Sequence, residues 1–407
     1  MYKVITFLLI IPINTYCFSQ IFINKIFYSF IKTTQIRNNS NILSYPVCEI
    51  NSKEKITVEF DDLNPNSSIN DYQYTVFHCD NKWQKSDLFF SQYCFGNEFN
   101  YFDNISQSFN TLTFFRHYKV ELPNNDLKFL LSGNYIFFVF KNSDPTDTVL
   151  TLKFSIFEKN CSITGQIKRP ENINLYNTHQ QIDFIASSHL FSFDNINQLK
   201  INIFQNNFEI NYKYDIKPTF IENNKLIFSN SEDLVFKAGN EFRFIDIQNI
   251  RYQNEKIAKI DEKDQNIFVT NIEKTRRLYF FNKDINGKYL INNYLGTNSN
   301  QDADYLIVKF CFDFPYFDNK LFIFGDLSNG NLNQEFQLTY DFQIKKYFAD
   351  ILLKQGYYNY IICNSNKEYS DFEGDFYDTK NNYLIYIYLI DKNLNYDRLI
   401  GFETIGN

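Results

Sequence analysis

Apolar and polar residues alternate along most of the chain. KITVEF at 55–60 places Ile56, Val58 and Phe60 on one face of an extended segment, LTLKFSIF at 150–157 does the same with Leu150, Leu152, Phe154 and Ile156, and LKINIF at 199–204 with Leu199, Ile201 and Ile203. Near the end, YLIYIYLI at 383–390 aligns Tyr383, Ile385, Ile387 and Leu389. A period of two marks half-buried strands. Turn-forming clusters, NPNSSIND at 64–71, KNSDPTD at 141–147 and NKDINGK at 282–288, separate the runs, and no long capped segment of helical period interrupts them. The pattern predicts an all-β chain of antiparallel β-sandwiches.

Two polar breaks, EKNCS at 158–162 and GTNSNQDA at 296–303, divide the chain into 20–158, 159–298 and 299–407. Each piece suits an immunoglobulin-like sandwich of roughly 100 residues plus additions, so three consecutive immunoglobulin-like domains are expected. Residues 260–300 fit either the second domain or a long connection. LLKQGYYNY at 352–360 and EGDFYDTKNNY at 373–383 set tight turns among large aromatics, and read as strand edges or as a ligand platform.

Composition supports the strand reading. Phe (46) and Tyr (30) are abundant, and Gly (12), Pro (8), Met (1) and Trp (1) are scarce, a balance that favours sheet over helix. Aromatics serve core packing more often than ligand stacking. The formal charge of −7 repels a phosphate backbone, so nucleic acid is not expected as a partner.

The first nineteen residues join one lysine to an apolar run from Val4 to Ile13 and end in small residues at Cys17 and Ser19. That is the layout of a secretory signal cleaved before Gln20. The apolar run is too short for a membrane anchor, so the mature chain is expected to be exported, soluble or peripheral. Six cysteines follow the leader, Cys48, Cys79, Cys94, Cys161, Cys311 and Cys363, without a C-x-x-C pair. They do not suggest zinc or a redox site, and Cys79 with Cys94 is the favoured local disulfide among 15 pairings.

Candidate chemistry is sparse. His78, His117, His179 and His189 lack H-E-x-x-H or H-x-H spacing and read as structural, although His78 or His117 beside a carboxylate could form a general base or metal site. Asp61-Asp62, Asp144 with Asp147, and Asp302 with Asp304 read as solvated turns or caps rather than calcium ligands. No nucleophile elbow or phosphate loop is present, so neither an enzyme, a cofactor, a metal nor a small-molecule substrate is expected. The third segment follows the strand order of starch-binding immunoglobulin-like modules, which makes a periplasmic or surface carbohydrate-binding protein the alternative. Its lack of tryptophan weakens that reading.

A set of short motifs occurs in order along the chain: FDDL at 60–63, YQYTVFHCDNKWQKSDL with Tyr74, His78, Cys79, Asp80, Trp83 and Ser86, QYCFG ending at Gly96, SFNT at 108–111, HY at 117–118, LPN at 122–124 and SGNY at 132–135. QN at 205–206 and AGNEFRFID at 238–246 follow, then ADY at 303–305, LKQGYYNY at 353–360, the spaced residues Glu373, Gly374, Tyr377, Thr379, Asn381 and Tyr383, and DRLIG at 397–401. Together they resemble the plug proteins of the type IX secretion system. The resemblance implies a non-catalytic periplasmic protein, peripheral to the outer membrane, that closes the periplasmic mouth of a giant translocon β-barrel. Contact with such a partner would use aromatic anchors in a polar rim, for which Trp83, Tyr93, Tyr357, Tyr358 and Tyr360 are the candidates.

Overall fold

The computed structural model describes residues 22–406 apart from 69–70, 189, 191–192, 194–195, 223, 252, 262–265, 295 and 297. The expected signal segment at 1–19 and His189 lie outside the described residues. Regular structure is nearly all strand, as the alternation predicts; the α-helices among the described residues are single turns, Phe90–Tyr93, Ser299–Asp302 and Ser370–Glu373.

The first lobe packs two sheets face to face. One holds Asp144–Phe157, Gly133–Lys141 and Tyr72–Cys79 at its centre, and the other Ile31–Asn38, Ile56–Asp62, Arg116–Leu122 and Asn104–Gln107. Val58, Phe60, Tyr118 and Val120 of the second sheet meet Tyr74, Val76, Tyr135, Phe137, Leu152 and Phe154 of the first in one core. Ile56–Asp62 is buried on both faces. Its polar residues Thr57, Glu59 and Asp61 face away from that core and are covered instead by other parts of the chain.

The later strands do not sort as the linear cuts expect. The second core lies between a sheet built from Ser162–Lys168, His179–Ser187, Lys225–Phe228 and Phe220–Glu222 and a sheet ordered Tyr212–Lys213, Leu199–Gln205, Asn382–Asp391, Tyr396–Gly406. Leu199 pairs with Leu389 and Gln205 with Tyr383, so Tyr383, Ile385 and Ile387 pack against Ile182, Phe184, Ile201 and Phe228. The C-terminal hairpin thus completes the second lobe, not the third.

The third lobe is inserted within the second. Its nine-stranded sheet begins with Arg243–Asp246, passes through Gly356–Asn364, Leu321–Phe324, Gln337–Asp341, Lys346–Lys354 and Tyr305–Asp313, and ends at Ile267–Lys274 and Ile257–Ile260. Tyr289–Ile291 joins it beside Gly356–Asn364. The cut expected at 298 therefore divides strands that share a sheet, because Ile267–Lys274 pairs with Tyr305–Asp313, in parallel. Much of 260–300 is thus part of this lobe rather than a connection. Alternation identifies a strand but does not say which sheet it enters, which is why the linear division fails.

Candidate functional site

The sequence motifs converge on the junctions between lobes. In the first junction Asp61, on the outward face of Ile56–Asp62, accepts a hydrogen bond from Lys354 Nζ at 2.7 Å and from the Tyr305 hydroxyl at 2.7 Å. Its other oxygen lies 2.7 Å from His117 Nδ1. All four side chains are buried. Lys354 also donates to the Asn300 carbonyl at 3.0 Å and lies 3.9 Å from the Phe115 ring centroid. Burial pushes the Asp61 carboxyl up, but the Lys354 ammonium and the His117 contact outweigh it and hold the group below the usual carboxylate range. Burial also lowers the Lys354 ammonium, which Asp61 offsets only in part. Asp304 secures the same seam by accepting from the backbone N–H groups of Leu112 at 2.6 Å and Thr113 at 3.1 Å.

This geometry corrects the reading of Asp61 as a solvated turn residue and of Asp304 as a simple cap. It also brings His117 to a carboxylate. The pair does not resemble a working general base, since one Asp61 oxygen is committed to Lys354 and Tyr305 across the lobe boundary, the other to His117 within the first lobe, and His117 Nε2 is buried without a hydrogen-bond partner.

A second junction forms where the chain enters and leaves the inserted lobe. Glu373, fully buried, receives Arg243 Nε at 2.9 Å, Arg276 Nε at 2.8 Å and the backbone N–H of Ile362 at 2.7 Å. Burial raises its carboxyl, but Arg243 and Arg276 more than offset this and hold it low. The rest of the two motifs is tied together beside it. Thr379 donates to the Gly239 carbonyl at 2.9 Å, Asn381 to the Ala238 carbonyl at 2.8 Å, and Asn206 to Asn381 Oδ1 at 2.8 Å. Tyr383 donates to Gln180 Oε1 at 2.8 Å. AGNEFRFID, QN and the spaced motif at 373–383 are therefore one structural unit.

A third junction joins the first and second lobes. Asp397 accepts from Asn81 N at 2.8 Å, Asn202 Nδ2 donates to the Asn81 carbonyl at 2.8 Å, and Arg398 grips Glu158 with Nε at 3.1 Å and an Nη at 2.6 Å. His78 sits nearby as a structural residue, its Nδ1 2.7 Å from Ser86 Oγ and its Nε2 3.1 Å from the Ser132 carbonyl. Gly133 has φ +139°, and a Cβ there would come within 2.3 Å of His78 Nε2, so SGNY needs its glycine.

Four of the five expected partner anchors are core residues. Trp83 is 7 % exposed, with φ +67° and Lys153 Nζ 4.7 Å from its ring centroid. Tyr93 donates to the Val76 carbonyl at 3.1 Å. Tyr358 and Tyr360 fill the inserted lobe's core, Tyr358 stacking on Tyr289 with centroids 5.1 Å apart. Only Tyr357 is partly exposed, and it stacks on Phe244 at 5.4 Å. Alternation in LKQGYYNY conceals that both faces of that strand are covered. The six cysteines are all buried free thiols, so Cys79 and Cys94 are not bonded.

Exposed apolar side chains appear elsewhere. Phe109 and Leu112 are 75 % and 72 % exposed on the loop between Asn104–Gln107 and Arg116–Leu122, and Phe114 is also exposed. The loop is held from behind by Asp304 and by Phe109 N donating to the Gln301 carbonyl at 2.9 Å. Sequence reasoning passes over it because LTFF imitates a strand run.

Residues 31–158 match the family model described as type 9 secretion system plug protein 1st domain. This part of the chain is therefore similar to the first domain of type 9 secretion system plug proteins. A crystal structure of a hypothetical protein from Parabacteroides merdae is similar over 95 % of this chain and 100 % of its own, with a TM-score of 0.90 and 29 % identity. The inserted arrangement thus recurs in a solved protein. No curated protein matches the chain.

Proposed function

We propose that this chain, whose residues 31–158 are similar to a plug first domain, acts as a whole as the non-catalytic plug of a type IX secretion translocon. It closes the periplasmic mouth of the giant outer-membrane barrel. The observation that carries the reading is the joining of three lobes by polar junctions, buried at Asp61 and Glu373 and half-buried at Glu158, at the very motifs that the family resemblance rests on. A steric plug needs a body that keeps its shape against a wide opening, and ion pairs with fixed partners at each seam oppose hinge motion. Burial of Tyr358 and Tyr360 removes them as sugar-stacking faces, which weighs against the carbohydrate reading. Contact with the barrel falls instead to exposed, rigidly backed side chains such as Phe109 and Leu112, whose fixed loop lowers the entropy lost on docking.

The test is affinity capture of the tagged chain from native membranes, together with a deletion strain. Capture should recover a large outer-membrane barrel, and the combined substitution F109D/L112D should reduce that recovery while leaving the protein folded. The deletion should impair cargo export or admit large solutes such as vancomycin. Recovery of no such barrel, with normal export and permeability in the deletion strain, would refute the plug assignment.

A further inference from the structure

The three lobes enclose a crevice, and its hydrogen bonding does not close. Tyr45 of the first lobe marks its centre. Asn382 of the second lobe donates to the Tyr45 hydroxyl at 3.1 Å, and Lys288 of the inserted lobe lies over the Tyr45 ring with Nζ 3.5 Å from the centroid. Beside them is a cavity of about 110 Å³, room for a few water molecules or one small solute.

Most polar groups on its walls are satisfied. Arg37 pairs with Glu59 at 2.8 Å and Lys153 with Glu209 at 2.6 Å. Thr34 donates to Asn329 Oδ1 at 2.7 Å, and Tyr289 to the Thr34 carbonyl at 2.8 Å. Two groups stand apart. Lys288, 8 % exposed, spends one donor on the Leu43 carbonyl, and an ammonium has three. The Asp326 carboxylate accepts no hydrogen bond from any described residue and forms no ion pair with Lys288, although both line the cavity. The carboxylate is half-buried and takes no protein hydrogen bond, so it rests on solvent and on the charge of Lys288 and is open to a ligand that brings donors of its own.

We propose that the crevice is a binding site for a small zwitterion of amino-acid type, its carboxylate received by Lys288 and its ammonium by Asp326. Such a molecule satisfies both free groups at once, whereas a simple anion or cation leaves the opposite charge uncompensated. Burial pushes the Asp326 carboxyl up to about 6 and the Lys288 ammonium down to about 8, and the attraction between the two groups offsets this only in part. Because the crevice is shared by all three lobes, an occupant there braces their closed arrangement.

Trp83 lines the same cavity and is the chain's single tryptophan, so its fluorescence is a direct readout in the mature full-length protein. Glycine is the probe, with acetate and methylammonium each tested alone. The expected result is a saturable change in Trp83 emission with glycine and at least tenfold weaker responses to either half-molecule. Asp326→Asn and Lys288→Met should each weaken glycine binding about tenfold or more. No saturable response of the wild-type protein up to about 10 mM glycine, where a site of about 1 mM affinity is nine-tenths filled, would overturn the proposal. Equal responses to acetate, or unchanged affinity in Asp326→Asn, would overturn it as well and leave a crevice filled only by water. If Asp326→Asn does not fold, the comparison of the three probes on the wild-type protein decides.

Discussion

Replacing Lys354 by methionine tests whether the Asp61 junction holds the first lobe to the inserted one. Methionine keeps most of the stem that lies against Phe115 and deletes the ammonium, with its hydrogen bonds of 2.7 Å to Asp61 and 3.0 Å to Asn300. Asp61 keeps its contacts with His117 and Tyr305, so compensation is partial. Removing one member of a buried pair costs roughly 3–5 kcal/mol, and the surviving contacts place this case near the lower end, about 3 kcal/mol. Against a domain stability of roughly 5–15 kcal/mol that is a large loss.

Urea denaturation followed by both Trp83 fluorescence and far-ultraviolet circular dichroism is the assay. Trp83 belongs to the first lobe and reports on it and on its face toward the crevice, and dichroism on all the strands. Lys354→Met should lower the midpoint and separate the two transitions, as lobes that had unfolded together become independent. Asp61→Asn in the Lys354→Met background should recover part of the loss, because the uncompensated charge is then removed. The pH dependence has a definite sign. The folded Asp61 carboxyl lies below its unfolded value of about 3.9, so its contribution is present above that value and is lost as pH falls through the folded one. The gap between wild type and variant should therefore close on acidification. A midpoint within about 0.5 kcal/mol of wild type at neutral pH would refute the junction's role.

Truncation after Lys380 removes Tyr383, Ile385, Ile387 and Ile400 from the second core. At roughly 1.5–3 kcal/mol for each buried side chain, the second lobe should become protease-sensitive while the first lobe stays resistant; unchanged protease resistance would contradict the strand assignment. Glu373→Gln should cost about 3 kcal/mol at neutral pH. The difference should shrink below about pH 4.3, because Arg243 and Arg276 hold the folded carboxyl low and its stabilisation is lost as pH falls through the folded value. Tyr358→Ala should cost about 3–5 kcal/mol as a core truncation, against about 1 kcal/mol or less for Tyr357→Ala at its partly exposed site. Equal melting temperatures for the two variants would refute the difference in burial between the two tyrosines.

The strands themselves were legible. Ile56, Val58 and Phe60 share a core face, and the face predicted at 383–389 is buried apart from Leu389, which is partly so. What period two does not encode is the environment of the opposite face. Thr57, Glu59 and Asp61 read as a solvated face, yet Arg37 and Lys354 cover them. The same gap hid the junction chemistry. His117 and Asp61 are 56 positions apart in the chain and neighbours across a sheet, and Lys354 approaches from another lobe. Tyr358 and Tyr360 were misread for a related reason: an aromatic-rich strand next to a glycine looks like an exposed edge, but Arg243–Asp246 and Tyr289–Ile291 both pair along it. Gly356 admits the second of these, since a Cβ there would come within 2.2 Å of the Leu290 carbonyl oxygen.

The distribution of the motifs argues for rigidity as their common purpose. An inserted lobe tethered by a single strand could swing, but here the entering segment at 238–246 and the leaving segment at 373–383 lie side by side and are cross-linked by Glu373, Thr379 and Asn381. Two adjacent tethers still permit rotation about the line that joins them. The Asp61–Lys354 contact, made to a different lobe, opposes that rotation. Arg398–Glu158 and Asn81–Asp397 then fix the first lobe to the second, which closes a ring of three contacts among three bodies. Apolar seams of the same area would hold the lobes together while tolerating sliding, because dispersion contacts have no preferred partner. Asp61 and Lys354 are both buried, so neither meets water if they part, and that seam has one register and a steep penalty for leaving it.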